Sequence, residues 1–240
     1  MKISLKRQTT ALRYRFYREH KYLSYEVSKL EGFIARVNFT DVAQVTVLKQ
    51  KFEGFMDLMQ GHADHEDNAI HPLLRDKNPQ MYEDIALAHR AHFEFIEKLR
   101  VALERIDPQK NESADLISQG YQFYLSFRSF VGINLKHLDH EETVLMPEIQ
   151  KHYTDRELKE LVEFKTYKVM TPDEMVYMMQ ELFPQMNLQD KEALLRDIQE
   201  SEFEKFLQAW NGIAPEINER DRVELIRKLD IKVPSGSFQS

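Results

Sequence analysis

The sequence predicts an all-α protein: an up-down-up-down four-helix bundle with an appended set of shorter C-terminal helices. Three observations predict it. Four long segments space their apolar residues three and four apart, the period of helices that share a core. Gly and Pro number only 7 and 8 in 240 residues, too few for a turn-rich β protein. The breaks between the four segments are short, which makes sequential helices antiparallel neighbours.

The first stripe is Phe16, His20, Leu23, Val27, Leu30, Ile34 and Val37. Asn38 to Asp41 ends it, with Thr40 as the expected N-cap of the next helix. The second stripe is Val45, Leu48, Phe52, Phe55, Met59, His62, Glu66 and Ala69, closed by Arg75 to Pro79. The third is Ile85, His89, Phe93, Ile96, Leu99, Leu103 and Ile106, closed by Asp107 to Ser113. The fourth is Phe123, Phe127, Phe130, Asn134, His137, Glu141 and Val144. These elements make residues 1–153 one unit, the bundle.

Residues 154–240 read as a C-terminal helical extension. Thr171-Pro172-Asp173-Glu174 is a helix start, with Thr171 capping, Pro172 in the first turn and Glu174 completing a capping box. Gly212, Pro184 and Pro215 punctuate the rest. Phe203, Phe206, Trp210, Leu225, Ile226 and Leu229 are its packing residues, and Met175, Met178 and Met179 read as core filler. The tail PSGSFQS is expected to fray.

Composition narrows function. The chain has no Cys, which excludes disulfides, thiolate metal sites, iron–sulfur clusters and cysteine nucleophiles. A net charge of -7 disfavours nucleic acid as a partner. No run of apolar residues is long enough for a membrane span, and the basic start MKISLKRQTTALRYRF lacks an apolar stretch, so a cytoplasmic protein is expected. Lys2, Lys6, Arg7, Arg13, Arg15, Arg18 and Lys21 read as a solvated helix face. No phosphate loop, nucleophile elbow or HExxH motif is present.

One internal repeat carries chemistry. Residues 62–72 read HADHEDNAIHP and residues 137–147 read HLDHEETVLMP. Each copy puts a His and a Glu four residues apart on the apolar stripe: His62 with Glu66, and His137 with Glu141. His20 and His89 lie on the other two stripes. Counted from the turns, the arms leading to these residues span roughly 27 to 36 Å at the helical rise, so all six groups meet in one layer. Two carboxylates and four imidazoles in a dry layer are costly unless cations balance them, and this donor set suits iron, with manganese or zinc possible. If both glutamates bridge, four nitrogens and four oxygens plus an oxo or hydroxo bridge leave each of two irons about one ligand short of octahedral. That position would take dioxygen, nitric oxide or peroxide.

His65 and His140 are rotated off the seam and read as rim groups, though each is a candidate supplement to the ligands. His92 is an alternative to His89. Asp64, Asp67, Asp139 and Glu142 read as solvated charges, of which one could accept a proton from a ligand imidazole. Asn134 reads as a supporting group or a core amide, and His71 and His152 as surface residues.

These residues resemble the hemerythrin-like HHE cation-binding family. The matching features are EHKYL around His20, the segments His62–Glu66 and His137–Glu141, and AHRAHF around His89. The resemblance covers roughly residues 10–152. It implies a hemerythrin-like fold and a non-haem di-iron centre with His20, His62, Glu66, His89, His137 and Glu141 as metal ligands. Oxygen-carrying members use five His, one Glu and one Asp, so with four His and two Glu this chain looks more like the branch that includes proteins of iron-centre repair and iron or oxygen sensing. The cysteine-bearing segment of the repair proteins is missing.

The expected function is binding of a small oxidant for sensing, storage or detoxification. The alternative is an iron-responsive regulatory protein in which the metal is structural and the C-terminal helices bind a protein partner. Oxidase or peroxidase turnover ranks third, because the sequence shows no substrate pocket beyond the metal.

Overall fold

The computed structural model describes residues 17–232. Phe16, the cations Lys2, Lys6, Arg7, Arg13 and Arg15, and the PSGSFQS tail lie outside the described residues. Within them the chain is helical and contains no strand.

Helix α1 spans His20–Ile34 and buries Leu23, Val27, Leu30 and Ile34. Helix α2 spans Val42–His65. Its cap is Asp41, not Thr40: the Asp41 carboxylate accepts the N–H of Ala43 and Gln44 at 2.8 and 3.1 Å, whereas the Thr40 hydroxyl is spent on Asn38 Oδ1 inside the turn. Helix α3 spans Pro79–Glu104, with Asn78 accepting the N–H of Met81 and Pro79 in the first turn. Helix α4 spans Ser113–His140. Helix α1 packs on α2 and α4, and α3 packs on α2 and α4, so the four long helices close around one core. Phe52, Phe55, Phe123, Phe127 and Phe130 meet at its centre with ring centroids 5.7 to 6.3 Å apart, mostly edge to face. At Gly120 the Phe39 ring lies against the helix so closely that a Cβ would overlap it.

The two copies of the repeat share a local structure. Each ends its helix in a π-turn that begins at the glutamate: Glu66–Ile70 and Glu141–Leu145. The N–H of His71 bonds back to the Glu66 carbonyl, and that of Met146 to the Glu141 carbonyl. A π-turn admits one extra residue, so the stripe beyond it shifts by one position, roughly 100° of helix rotation. Ile70 and Leu145 are therefore fully buried, while Ala69 is only half-buried and Val144 is exposed, contrary to the regular period.

Beyond the second π-turn follow α5 (Met146–His152), α6 (Asp155–Leu158), a third π-turn (Lys159–Glu163), α7 (Phe164–Val169) and α8 (Pro172–Leu182). Then come α9 (Leu188–Ser201), α10 (Phe203–Ile213) and α11 (Glu219–Lys228). The Thr171–Glu174 capping box forms as expected. Met175, Met179, Phe206, Trp210 and Leu225 anchor a second core, from which Phe203 is excluded and exposed. A third cluster combines Ile70, Leu74, Leu145, Met146 and Ile149 with Leu158 and Val162, so α6 and the third π-turn pack under the repeat.

The C-terminal helices are also fastened to the start of α1. Arg18, read from sequence as solvated, is instead largely covered and bound to Asp197 of α9, while Lys21 stays exposed as expected and pairs with Asp190. The Tyr22 hydroxyl donates to Glu181 of α8 at 2.6 Å. No helix among the described residues is long and apolar enough to cross a membrane.

Candidate metal centre

The first residues of the two π-turns, Glu66 and Glu141, are fully buried and face each other across the layer where α1 to α4 converge. Imidazole Nε2 atoms surround them. From α1, His20 Nε2 lies 3.4 Å from Glu66 Oε1 and 3.6 Å from Glu141 Oε2. From α2, His62 Nε2 lies 3.2 Å from Glu66 Oε2. From α3, His89 Nε2 lies 3.4 Å from Glu66 Oε2 and 3.5 Å from Glu141 Oε1. From α4, His137 Nε2 lies 2.9 Å from Glu141 Oε1. All six sequence-predicted residues thus come together.

Two sets of four donors each have their ligand atoms within 4.8 Å of one another and could hold an ion: His20, His62, Glu66 and Glu141, and Glu66, His71, His89 and Glu141. His137 belongs to neither set, and its ring packs edge-on against His92, centroids 4.4 Å apart. His71, expected at the surface, is 1% exposed and puts its Nε2 3.9 Å from Glu141 Oε1. The regular helical period hides His71, because only the π-turn swings residue 71 inward. The signal available in sequence was the apolar residue shared by both copies at Ile70 and Leu145, one position later than the stripe requires. His92 is buried against Phe130 and His137 and reaches neither glutamate. His65 is half-buried and His140 exposed, at the rim.

Outer carboxylates fix the rings. His71 and His89 both donate from Nδ1 to Asp67 Oδ1 at 3.0 Å, and His20 donates from Nδ1 to Glu142 at 3.2 Å. Asp67 and Glu142 occupy the same position in the two repeat copies, directly after the glutamate. Each leaves the Nε2 of its histidine aimed inward. Asp64, by contrast, is an exposed helix charge.

The electrostatics are those of a site built for positive charge. Burial drives His20 and His89 down, but the carboxylates outweigh it and raise both to about 10, through Glu142 and Glu66 for His20 and Glu141 and Glu66 for His89. Burial lowers His62 and His92 to about 4. Glu66 and Glu141 stay ionised against burial, Glu66 through the neighbouring imidazoles and Glu141 through His137 and His89 despite the repulsion of Glu66. Both oxygens of Glu141, Glu66 Oε2, His62 Nε2 and His71 Nε2 are buried without a well-aligned hydrogen-bond partner. Lone pairs left this way in a dry interior fit a metal, which satisfies them all at once.

A void of about 10 Å³ adjoins the layer, between the histidines and the phenylalanine core. The Asn134 side chain lines it, fully buried with neither amide atom paired. His62 lines this void and also, with Glu19, a much larger cavity. Glu19 Oε1 lies 4.0 Å from His62 Nδ1, and loss of hydration raises its carboxyl to about 7.

No family model matches the chain. No curated protein and no solved structure is significantly similar to it.

Proposed function

We propose that this chain is a hemerythrin-like, non-haem di-iron protein that binds a small oxidant, such as dioxygen, nitric oxide or peroxide, in sensing, storage or detoxification. One observation carries the reading: five imidazole Nε2 atoms ring two buried carboxylates, three of whose four oxygens lack a well-aligned hydrogen bond. The mutual packing of α1 to α4 supports an up-down-up-down four-helix bundle. His20 and His62 would hold one ion, His71 and His89 the other, with Glu66 and Glu141 common to both. His137 approaches Glu141 from α4 and would complete the second ion. Imidazole and carboxylate suit iron, and manganese or zinc would fit the same donors.

Such a pair of ions supplies redox change and an open coordination position. The chain supplies the rest. With metal bound, Asp67 and Glu142 would hold three imidazoles by Nδ1, in the tautomer that leaves Nε2 free for the ion. The phenylalanine core excludes water on one side, and the third apolar cluster covers the π-turns. Asn134 presents an amide donor and acceptor at a void with room for about one water-sized molecule.

A second reading has its own support. Arg18, Lys21 and Tyr22 flank His20 and bind the C-terminal helices, and the first π-turn packs on the third. A structural metal that signals iron status to those helices would therefore have a direct route. Metal-dependent protection of residues 154–240 from protease, without any oxidant-dependent spectrum, favours this regulatory reading.

The primary test is metal analysis with a visible spectrum on wild type and on Glu66→Ala/Glu141→Ala. We expect about two irons per chain and an oxidant-dependent charge-transfer band, both lost in the double variant. No metal, or one zinc retained by the variant, sinks the proposal.

A further inference from the structure

The cavity beside His62 holds about 1160 Å³, against roughly 300–1,000 Å³ for common small-molecule sites. A diatomic molecule needs almost none of that. It runs between α2 on one side and α7 and α8 on the other. Its α2 wall is Gly54, Asp57, Leu58, Gly61, His62 and His65, and a Cβ at either glycine would meet nothing within 4 Å. The opposite wall is apolar and adaptable, with Met170, Met178, Met186 and Leu182. Val169 and Tyr177 at this wall are 81% and 67% exposed, unusually bare for large apolar residues.

Charge selects among apolar ligands. Asp57, Asp173, Glu174 and Glu181 line the cavity. Arg18, the one permanent cation among its described lining residues, is tied to Asp197 and faces Glu163 at 3.8 Å. Tyr22, Tyr167 and Tyr177 add aromatic rings, and rings with carboxylates are the surroundings an organic ammonium prefers. A carboxylate-headed ligand would meet repulsion from these carboxylates, and the one cation it could pair with is already bound to Asp197.

We infer that this cavity is a binding site for an amine with an apolar body, an alkyl- or arylalkyl-ammonium, whose tail lies along the Gly54–Gly61 stripe and whose charge sits among Asp57, Asp173 and Glu181. The site goes beyond the metal reading and does not depend on it. The cavity is a pocket beyond the metal that the sequence did not show.

The test is calorimetric titration of the full chain with octylammonium, octanol and octanoate. The expected result is one octylammonium site per chain, octanol weaker by about tenfold, as a cation–π contact plus a screened ion pair implies, and no octanoate binding. Gly54→Leu should abolish binding without lowering the melting temperature, because the new side chain fills open space and replaces a helical glycine. Asp173→Asn/Glu181→Gln should erase the preference for octylammonium over octanol while octanol still binds. Equal binding of the three probes, many weak sites per chain, or wild-type affinity in Gly54→Leu overturns the inference. So does a chain lacking residues 1–16 that binds octylammonium when the full chain does not, since the basic N-terminal segment would then be the occupant.

Discussion

Asp67 is one carboxylate serving two imidazoles, and half of it is open to water. Removing its charge should loosen His71 and His89 together. Asp67→Asn is expected to weaken metal binding by about 10- to 100-fold, with Asp64→Asn, one turn earlier and exposed, unchanged; competition with a chromogenic chelator measures both. Protonation gives a second expectation. In the metal-free chain His20 and His89 are raised from 6.5 to about 10, so their pairing stabilises fully below pH 6.5 and is lost as pH climbs through about 10. His62 and His92 are lowered to about 4, so their contribution is present above pH 6.5 and lost as pH falls through about 4. Melting temperature in chelator should therefore peak near neutrality and fall on both sides. Metal should flatten the alkaline arm, because His20 and His89 then hold no proton there to lose. Identical alkaline arms with and without metal would contradict the assignment of these two residues. At this scale the convergence of the six expected residues was legible because each sits on a regular stripe. Asp67 and Glu142 were not singled out, since nothing in a sequence separates a carboxylate that leans over a ligand from one that points to solvent.

The π-turns account for what periodicity could and could not reveal about elements. Up to Glu66 and Glu141 the 3.6-residue pattern describes α2 and α4 well. Beyond them it fails by one residue, so His71 was assigned to the surface and Val144 to the interior. The same logic predicts unequal effects of two deletions within three turns of chain. Deleting Asn68, an exposed residue inside the first π-turn, converts it to regular helix and keeps Ile70, His71 and Leu74 on their face. Deleting Gln60, also exposed, swings everything beyond it by about 100° relative to the rest of α2, taking His62 and Glu66 away from the layer or forcing a bulge. Deletion of Asn68 should give a folded protein with a modestly lowered melting temperature, and deletion of Gln60 a far less stable one without metal, by circular dichroism and metal analysis. Equal losses would mean that the wide turn is not an insertion in an otherwise regular helix.

For the whole molecule, the four long helices were legible and the C-terminal architecture was not. Short helices punctuated by Pro and Gly show where elements break but not where they dock. Docking depends on single charges such as Asp197, buried at 2% side-chain exposure between Arg18 and Lys159. Removing a buried partner strands the charges it compensates, so Asp197→Ala should cost about 3 kcal/mol in denaturant unfolding. Substituting the exposed ion pair of Arg156 with Glu160 should cost about 0.5 kcal/mol or less. A small effect of Asp197→Ala would show that apolar contacts alone hold the C-terminal helices in place.

The phenylalanine cluster has a kinetic consequence. It meets the histidine layer where Phe130 packs on His92, and the cavity meets that layer at His62, its far wall belonging to α7 and α8. Passage from that cavity to His62, whose side chain is only 6% exposed, would then be timed by how often its walls loosen. A substitution that frees them would quicken arrival and departure of a small ligand by the same factor and leave its dissociation constant where it was. The C-terminal helices would set the tempo of the centre without setting its affinity.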